Sequence, residues 1–369
     1  MLKPRYVFLM VLVLLVGALG LAYARNRTLH IPSFGPKPVV PRDTWQGAYA
    51  LQSTDLDALA QSAAAMKLDF LFVSDPSRKE HESKEIQGVT LFPSPLYSTS
   101  VGNLISLKPA HHMVLSGIEP AQQVRGAGGL PIITTPRSGD TPWTGRLDGA
   151  TGIEILEPRP DHPLFFIPSQ IVREINPTLL AAQLYTAQPE VLHLWDQMVD
   201  TPALGICPTL PPEHFWLKNS LRQWIIATAQ SYDEDVSRAS DIMTSLLAQK
   251  FYCYAGLLQG DPQFYFIHEH EKLRAYVSTS DPKRTRISLL RGGAEIMRTH
   301  GNKLTYLSPQ PGNYRVEVAI EIPNIFWGKH WATVVYSQRV RVDEHFTQRT
   351  NAPTSPDHIP TPTPTSEAF

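Results

Sequence analysis

Cysteine is nearly absent from this chain: two in 369 residues, Cys207 and Cys253, far apart and in no C-x-x-C pair. That spacing excludes zinc ribbons and dithiol redox motifs. The two thiols either pair across a domain that is exported or stand as two buried free cysteines, and free thiols are the expectation. An excess of charge of either sign is also missing, since 33 Lys and Arg face 34 Asp and Glu for a net charge of −1. Nothing global draws the protein to nucleic acid or to an anionic surface, so no nucleic-acid partner is expected. The signature loops of several enzyme classes are lacking as well. There is no G-x-S-x-G, H-E-x-x-H, phosphate-binding loop or G-x-G-x-x-G, and Gly126-Ala-Gly-Gly129 runs into a strand where a phosphate cradle needs a helix.

Proline, by contrast, is plentiful, with 33 spread over the chain, which argues for loops and edge strands over a helical bundle. The length exceeds the roughly 250 to 300 residues at which single cores stop growing, so two domains are expected. Tyr6 to Ala24 is a run of nineteen residues without a charge, near the length a helix needs to cross a bilayer. Lys3 and Arg5 precede it, and their charge places the rest of the chain outside the cytoplasm. Residues 1–25 are therefore expected to be a membrane anchor, with 6–24 as the membrane partner; cleavage after Ala22-Tyr-Ala24, giving a secreted protein, is the alternative. Residues 26–43 carry Pro32, Pro36, Pro38 and Pro41 and read as an extended linker. Residues 344–369 form a Pro/Thr-rich tail with scarcely an apolar residue, and are expected to be disordered.

Between these ends, residues 44–256 read as alternating strands and helices. Gly47 to Leu51 and Phe70 to Ser74 are strands around a helix capped by Ser53-Thr54, in which Leu56, Leu59, Ala60, Ala63 and Met66 share one face. Strands follow at Gly88–Phe92, Asn103–Leu107, Leu130–Thr134 and Gly152–Leu156, with a short helix opened by Pro120. Pro189 to Gln230 is expected to be mainly helical, and Asp233 to Gln249 forms a further helix. Such alternation points to a parallel sheet with helical crossovers, either a barrel or a doubly wound sheet. From Phe251 the period changes to two, and seven short strands between Gln263 and Val342 make residues 257–343 a small antiparallel β-sandwich.

The segments Gly47-Ala-Tyr-Ala-Leu-Gln-Ser-Thr54, Leu68-Asp-Phe-Leu-Phe-Val-Ser-Asp-Pro76, Gly88-Val-Thr90, Gly102-Asn-Leu-Ile-Ser-Leu107, Gly128 to Pro136 and Thr151-Gly-Ile-Glu-Ile155 together resemble the PHP (polymerase and histidinol phosphatase) superfamily. Pro311-Gly-Asn-Tyr-Arg-Val-Glu-Val318 looks like the β domain behind the barrel in some exported members. The resemblance implies an α/β fold, a distorted (β/α)7 barrel whose strand ends hold two or three metals for phosphoester hydrolysis. It also implies that the metal ligands are gone. Ala50 and Gln52 stand at the family's His-x-His, Ser74-Asp75-Pro76 at its Thr-Asp-His, Thr90 at its glutamate, and Asn103 and Thr135 at two further histidines. Clustered divalent ions need several carboxylates and imidazoles to offset their repulsion and dehydration, which Thr, Gln, Asn and Ala cannot supply.

The candidate pocket is therefore Gln52, Asp75, Asn103, Thr135 and Glu154, with no catalytic residue, metal ligand or cofactor assigned. Asp75 also reads as a turn cap and Glu154 as a solvated strand-end residue. His111-His112 and the H-x-H of His268-Glu-His270 are the visible histidine clusters, and the latter reads as exposed strand residues. The expected function is an exported, membrane-anchored, non-catalytic binding or scaffolding protein. Two alternatives stay open: a phosphoesterase with a rebuilt site, and an extracytoplasmic carbohydrate-binding or interaction module.

Overall fold

A computed structural model describes residues 10–18, 20, 44–51, 55–65, 68–74, 82–108, 115, 117–134, 142–156, 187–198, 203–207, 209–210, 221–226, 237–255, 263–324 and 328–343. The expected linker 26–43 and the tail 344–369 lie outside these. Residues 10–18 form a helix, α1, with exposed apolar side chains. Among the described residues no helix is long and apolar enough to cross a membrane, which corrects the expected transmembrane helix over 6–24.

Strand Phe70–Ser74 (β2) shows how the fold is put together. It lies between β1 (Thr44–Leu51) and β4 (Val89–Pro93), parallel to both. Phe70 and Phe72 enter one apolar core with Phe92, Ile105, Ile132 and Leu204, while Leu71 and Val73 enter another with Leu59, Ala60 and Ala63 of helix α2 (Leu56–Ala65). Burial on both faces is the physical reason for the uninterrupted apolar run at this strand. Helix α2 is capped by Asp55, whose carboxylate accepts the Ala58 N–H at 3.0 Å; the expected caps, Ser53 and Thr54, lie outside the described residues.

The expected (β/α)7 barrel is not formed. Hydrogen bonding joins twelve strands into one mixed sheet, in the order β16-β15-β18-β19-β12-β11-β1-β2-β4-β3, with β10 on β1 and β20 on β18. A second sheet, β5-β6-β7-β8-β9, comprises Leu96–Thr99, Gly102–Ser106, Pro131–Thr134, Gly152–Glu154 and Leu204–Ile206, and β5 and β9 are its open edges. Pro93 ends β4 and Pro95 stands between β4 and β5. Proline has no N–H to give a ladder, so the chain leaves the large sheet there and enters the second; it returns to the large sheet from β9 to β10 (Thr209–Leu210). Hairpins also replace helical crossovers: β3 (Lys84–Ile86) returns to β4 through Gln87 and Gly88, both at positive φ, the two-residue turn that suits twisted strands. Among the described residues the helices are few, namely α3 (Pro120–Gly126), α4 (Pro189–Gln197) and α5 (Arg238–Leu247) besides α1 and α2.

Beyond α4 the helical expectation also fails, because residues 204–206, 209–210 and Leu221–Ile226 (β11) are strands. Strand β11 lies inside the large sheet between β1 and β12 (Phe251–Ala255), and its sequence, Leu-Arg-Gln-Trp-Ile-Ile, lacks the strict alternation that marks a strand.

Of the seven strands expected after residue 263, six are present as β13 (Phe264–Glu269), β14 (Lys272–Val277), β15 (Thr285–Arg291), β16 (Ala294–His300), β17 (Lys303–Leu307) and β18 (Gly312–Asn324), and the seventh is divided into β19 (Gly328–Ser337) and β20 (Val340–Val342). Strands β13, β14 and β17 make a three-stranded sheet whose Leu273, Ala275, Val277 and Leu304 pack in one core with Ile287, Leu289, Val316, Val318 and Ile320 of the large sheet. Two β layers therefore face each other, and the larger one continues through β12 and β11 to β1 and β2.

Candidate functional site

Of the five predicted pocket residues, Gln52, Asp75 and Thr135 lie outside the described residues, and Asn103 and Glu154 are brought to one end of the five-stranded sheet. In that sheet Ile105 pairs with Ile132, Ile132 with Gly152, and Gly152 with Leu204, and their side chains feed the apolar core. Two residues further along each strand on the same face come Asn103, Thr134, Glu154 and Ile206, with Asn103 opposite Thr134 and Glu154 opposite Ile206. Side chains repeat every second residue along a strand, so an apolar row gives way to a polar one at the carboxyl ends of β7 and β8. Asn103 is half-buried, Thr134 is buried and Glu154 is 0% exposed, which corrects the solvated strand-end expectation. Sequence reasoning missed Thr134. Its neighbour Thr135 was taken because the family pattern aligns there, although alternation along β7 puts 134 on the same face as Ile132.

Thr90, where the family carries a glutamate, is buried in β4 opposite Phe70, and its hydroxyl has no hydrogen-bond partner. Among the described residues no group of three His, Cys, Asp or Glu side chains is placed to hold a metal ion. His111 and His112 lie outside the described residues. His268 ends on β13 and His270 stands in the following turn at φ 52°, so the H-x-H pair does not share a strand face.

A second polar cluster, unsuspected from the sequence, surrounds α4. Arg315 on β18 grips Asp196 of α4 with two hydrogen bonds, Nε to Oδ1 at 3.2 Å and Nη2 to Oδ2 at 3.3 Å, and also donates to Glu317. The Asp196 and Arg315 side chains are 7% and 4% exposed. Burial alone would lower the Arg315 pKa, but Glu317 and Asp196 hold it above its ordinary value. Arg339 donates to the carbonyls of Trp195 and Met198, at 3.0 and 2.8 Å, where α4 ends and its last carbonyls need donors. Burial pushes the Arg339 guanidinium down to about 10, against the pull of Asp196 and with the charge of Arg315 adding to the shift.

Trp195 lies at the centre. Its indole N–H donates to the Ala203 carbonyl at 2.8 Å, and the guanidinium carbons of Arg315 and Arg339 sit 5.6 and 5.8 Å from the ring. A Cβ at Gly205 would come within 2.5 Å of that indole, so the closeness of α4 to β9 depends on glycine there. Gln338 completes the junction by pairing its carboxamide with both backbone groups of Gly205, at 2.9 and 2.7 Å. The cluster ties α4 and β9 to the large sheet. No short stretch announces it, because Trp195, Asp196, Arg315, Glu317 and Arg339 are spread over more than a hundred residues.

Cys207 and Cys253 form a disulfide with Cα atoms 5.5 Å apart, joining the β9–β10 junction to β12, and this corrects the expected free thiols. Forty-six residues separate the two, and their proximity arises only once β12 is placed in the large sheet. No family model and no curated protein matches this chain.

Proposed function

We propose that the protein is an extracytoplasmic binding or scaffolding protein without metal-dependent hydrolytic activity. The observation that carries this conclusion is the make-up of the row at the carboxyl ends of β7 and β8. Among the described residues it contains one carboxylate, Glu154, beside the neutral Asn103 and Thr134. A phosphoester-cleaving ion pair needs several anionic or imidazole ligands at about 2 Å to lower the pKa of water and clamp the leaving oxygen. Export is supported by the disulfide, since such bonds persist in oxidising compartments and are rare in the cytosol.

Metal analysis of the purified full chain, with hydrolysis assays on phosphomonoesters and diesters in added Mn²⁺ and Zn²⁺, tests the chemical half. Less than one equivalent of tight metal and no turnover are expected. Stoichiometric metal with turnover abolished by Glu154→Gln would replace the proposal with a rebuilt phosphoesterase. Thiol labelling tests the compartment: in cells the chain is expected to react with maleimide reagents only after reduction, and immediate labelling of both cysteines would place it in the cytosol.

A further inference from the structure

The outward face of the three-stranded sheet carries three rows, fixed by the register of β13, β14 and β17. Tyr265, Tyr276 and Lys303 form the first, Ile267, Arg274 and Thr305 the second, and Glu269, Lys272 and Leu307 the third. The alternate residues Phe264, Leu273, Ala275, Val277 and Leu304 face the core, which leaves this set outward. Tyr265 and Tyr276 stack side by side, with ring centroids 5.5 Å apart and planes 22° apart, and Tyr265 is 37% exposed. Lys272, Arg274 and Lys303 are exposed, and the face's one carboxylate, Glu269, is already held by Arg274 at 3.1 Å. Lys272 and Arg274 stand two residues apart on one strand, about 7 Å along the sheet.

We propose that this face binds an acidic polysaccharide, a chain of sugar rings bearing carboxylates. The assignment rests on the extracytoplasmic binding role proposed above and names its ligand class. A tyrosine offers an apolar ring and a hydroxyl that both donates and accepts, which suits a sugar whose ring is apolar on its faces and polar at its edges. Three cations against one engaged carboxylate select a negatively charged chain through charge-assisted hydrogen bonds. A protein partner fits less well, because the cores of protein interfaces are depleted in lysine, and here Lys303 stands beside the tyrosine pair. Stacked aromatics among cations also suit a single-stranded nucleic acid. The disulfide decides between the two, since it belongs to a compartment where polysaccharide is the polyanion at hand.

Affinity electrophoresis of the full chain through gels containing polygalacturonate, dextran or oligo-dT tests the proposal. Retardation by polygalacturonate alone is expected, relieved by salt, and weakened on the order of tenfold by Tyr265→Ala and by Lys303→Glu. Arg341→Ala, at an exposed arginine on β20 off this face, is expected to change nothing. Circular dichroism and unchanged melting temperatures of the variants separate lost binding from lost fold. No retardation, retardation by dextran as strong as by polygalacturonate, or retardation insensitive to both face variants overturns the proposal. Retardation by oligo-dT alone overturns it in favour of nucleic acid. The thiol-labelling experiment uses no polysaccharide: an exported chain that ignores polygalacturonate refutes only the face, and a cytosolic chain that binds it refutes only the compartment.

Discussion

Two buried carboxylates, Asp196 and Glu154, sit in opposite surroundings. Asp196 is clasped by the fork of Arg315, with Glu317 and Arg339 close by, so that two acids and two bases balance around Trp195. Glu154 ends a short parallel strand in a row whose neighbours, Asn103 and Thr134, are neutral. The first arrangement fixes an element, because each charge there depends on the position of another and α4 cannot shift without unpairing them. The second places the carboxylate at the carboxyl end of a parallel strand, the end at which α/β folds present groups to ligands.

The largest expected effect comes from breaking the balanced cluster. Asp196→Ala leaves Arg315 and Arg339 buried with less compensation and is expected to cost about 3 to 5 kcal/mol in urea unfolding. Replacing Asp196, Arg315 and Glu317 together by Leu, Met and Gln is expected to recover most of that loss, because the burial penalty of the charges leaves with them. A single variant that costs less than about 1 kcal/mol would show that the cluster does not hold α4.

Tyr336 gives the next effect, through pH. Its phenol is buried beside Glu317, and its oxygen accepts the Ala187 N–H at 3.2 Å, ahead of α4. Burial, then the charge of Glu317, raises its pKa well above the ordinary 10.0. The unfolded phenol loses its proton near pH 10 while the folded one keeps it, so this stabilisation is complete below pH 10 and is lost as pH rises above it. The expected slope is about 1.4 kcal/mol per pH unit. Denaturation midpoints followed from pH 9 to 11 should fall for the wild type and fall less steeply for Tyr336→Phe; equal slopes would remove Tyr336 from the cluster.

The same contrast explains what could be read from the sequence. Alternation after Phe251 helped to locate the strands there, most clearly in Lys272-Leu-Arg-Ala-Tyr-Val277, where every second residue is buried. Strand β11 failed because Leu221-Arg-Gln-Trp-Ile-Ile226 does not alternate strictly. The barrel failed because the strands divide between two sheets, with Pro95 at the passage from β4 to β5, an arrangement that a linear strand count does not contain. Glu154 and Asn103 came from segments chosen for their resemblance to the PHP superfamily, and both segments are short strands that place them at one end of the five-stranded sheet. Asp196 was not, since its partner lies 119 residues away and nothing near it in sequence requires a counter-charge.

The smallest expected effect falls on Glu154. Gln matches Glu in shape and keeps its hydrogen-bonding atoms while removing the charge, so Glu154→Gln is expected to cost less than Asp196→Ala, which strips the counter-charge from Arg315. Glu154→Leu removes the hydrogen-bonding atoms and leaves the polar groups around it unpaired, which is expected to cost about 1 to 3 kcal/mol. If Gln proves as damaging as Leu, the negative charge itself is required, and a cation must then stand against Glu154 as Arg315 stands against Asp196. Urea unfolding of the two variants at neutral pH distinguishes these outcomes. Equal losses would turn the crevice into a second structural tie and move the binding function entirely to the outward face of β13, β14 and β17.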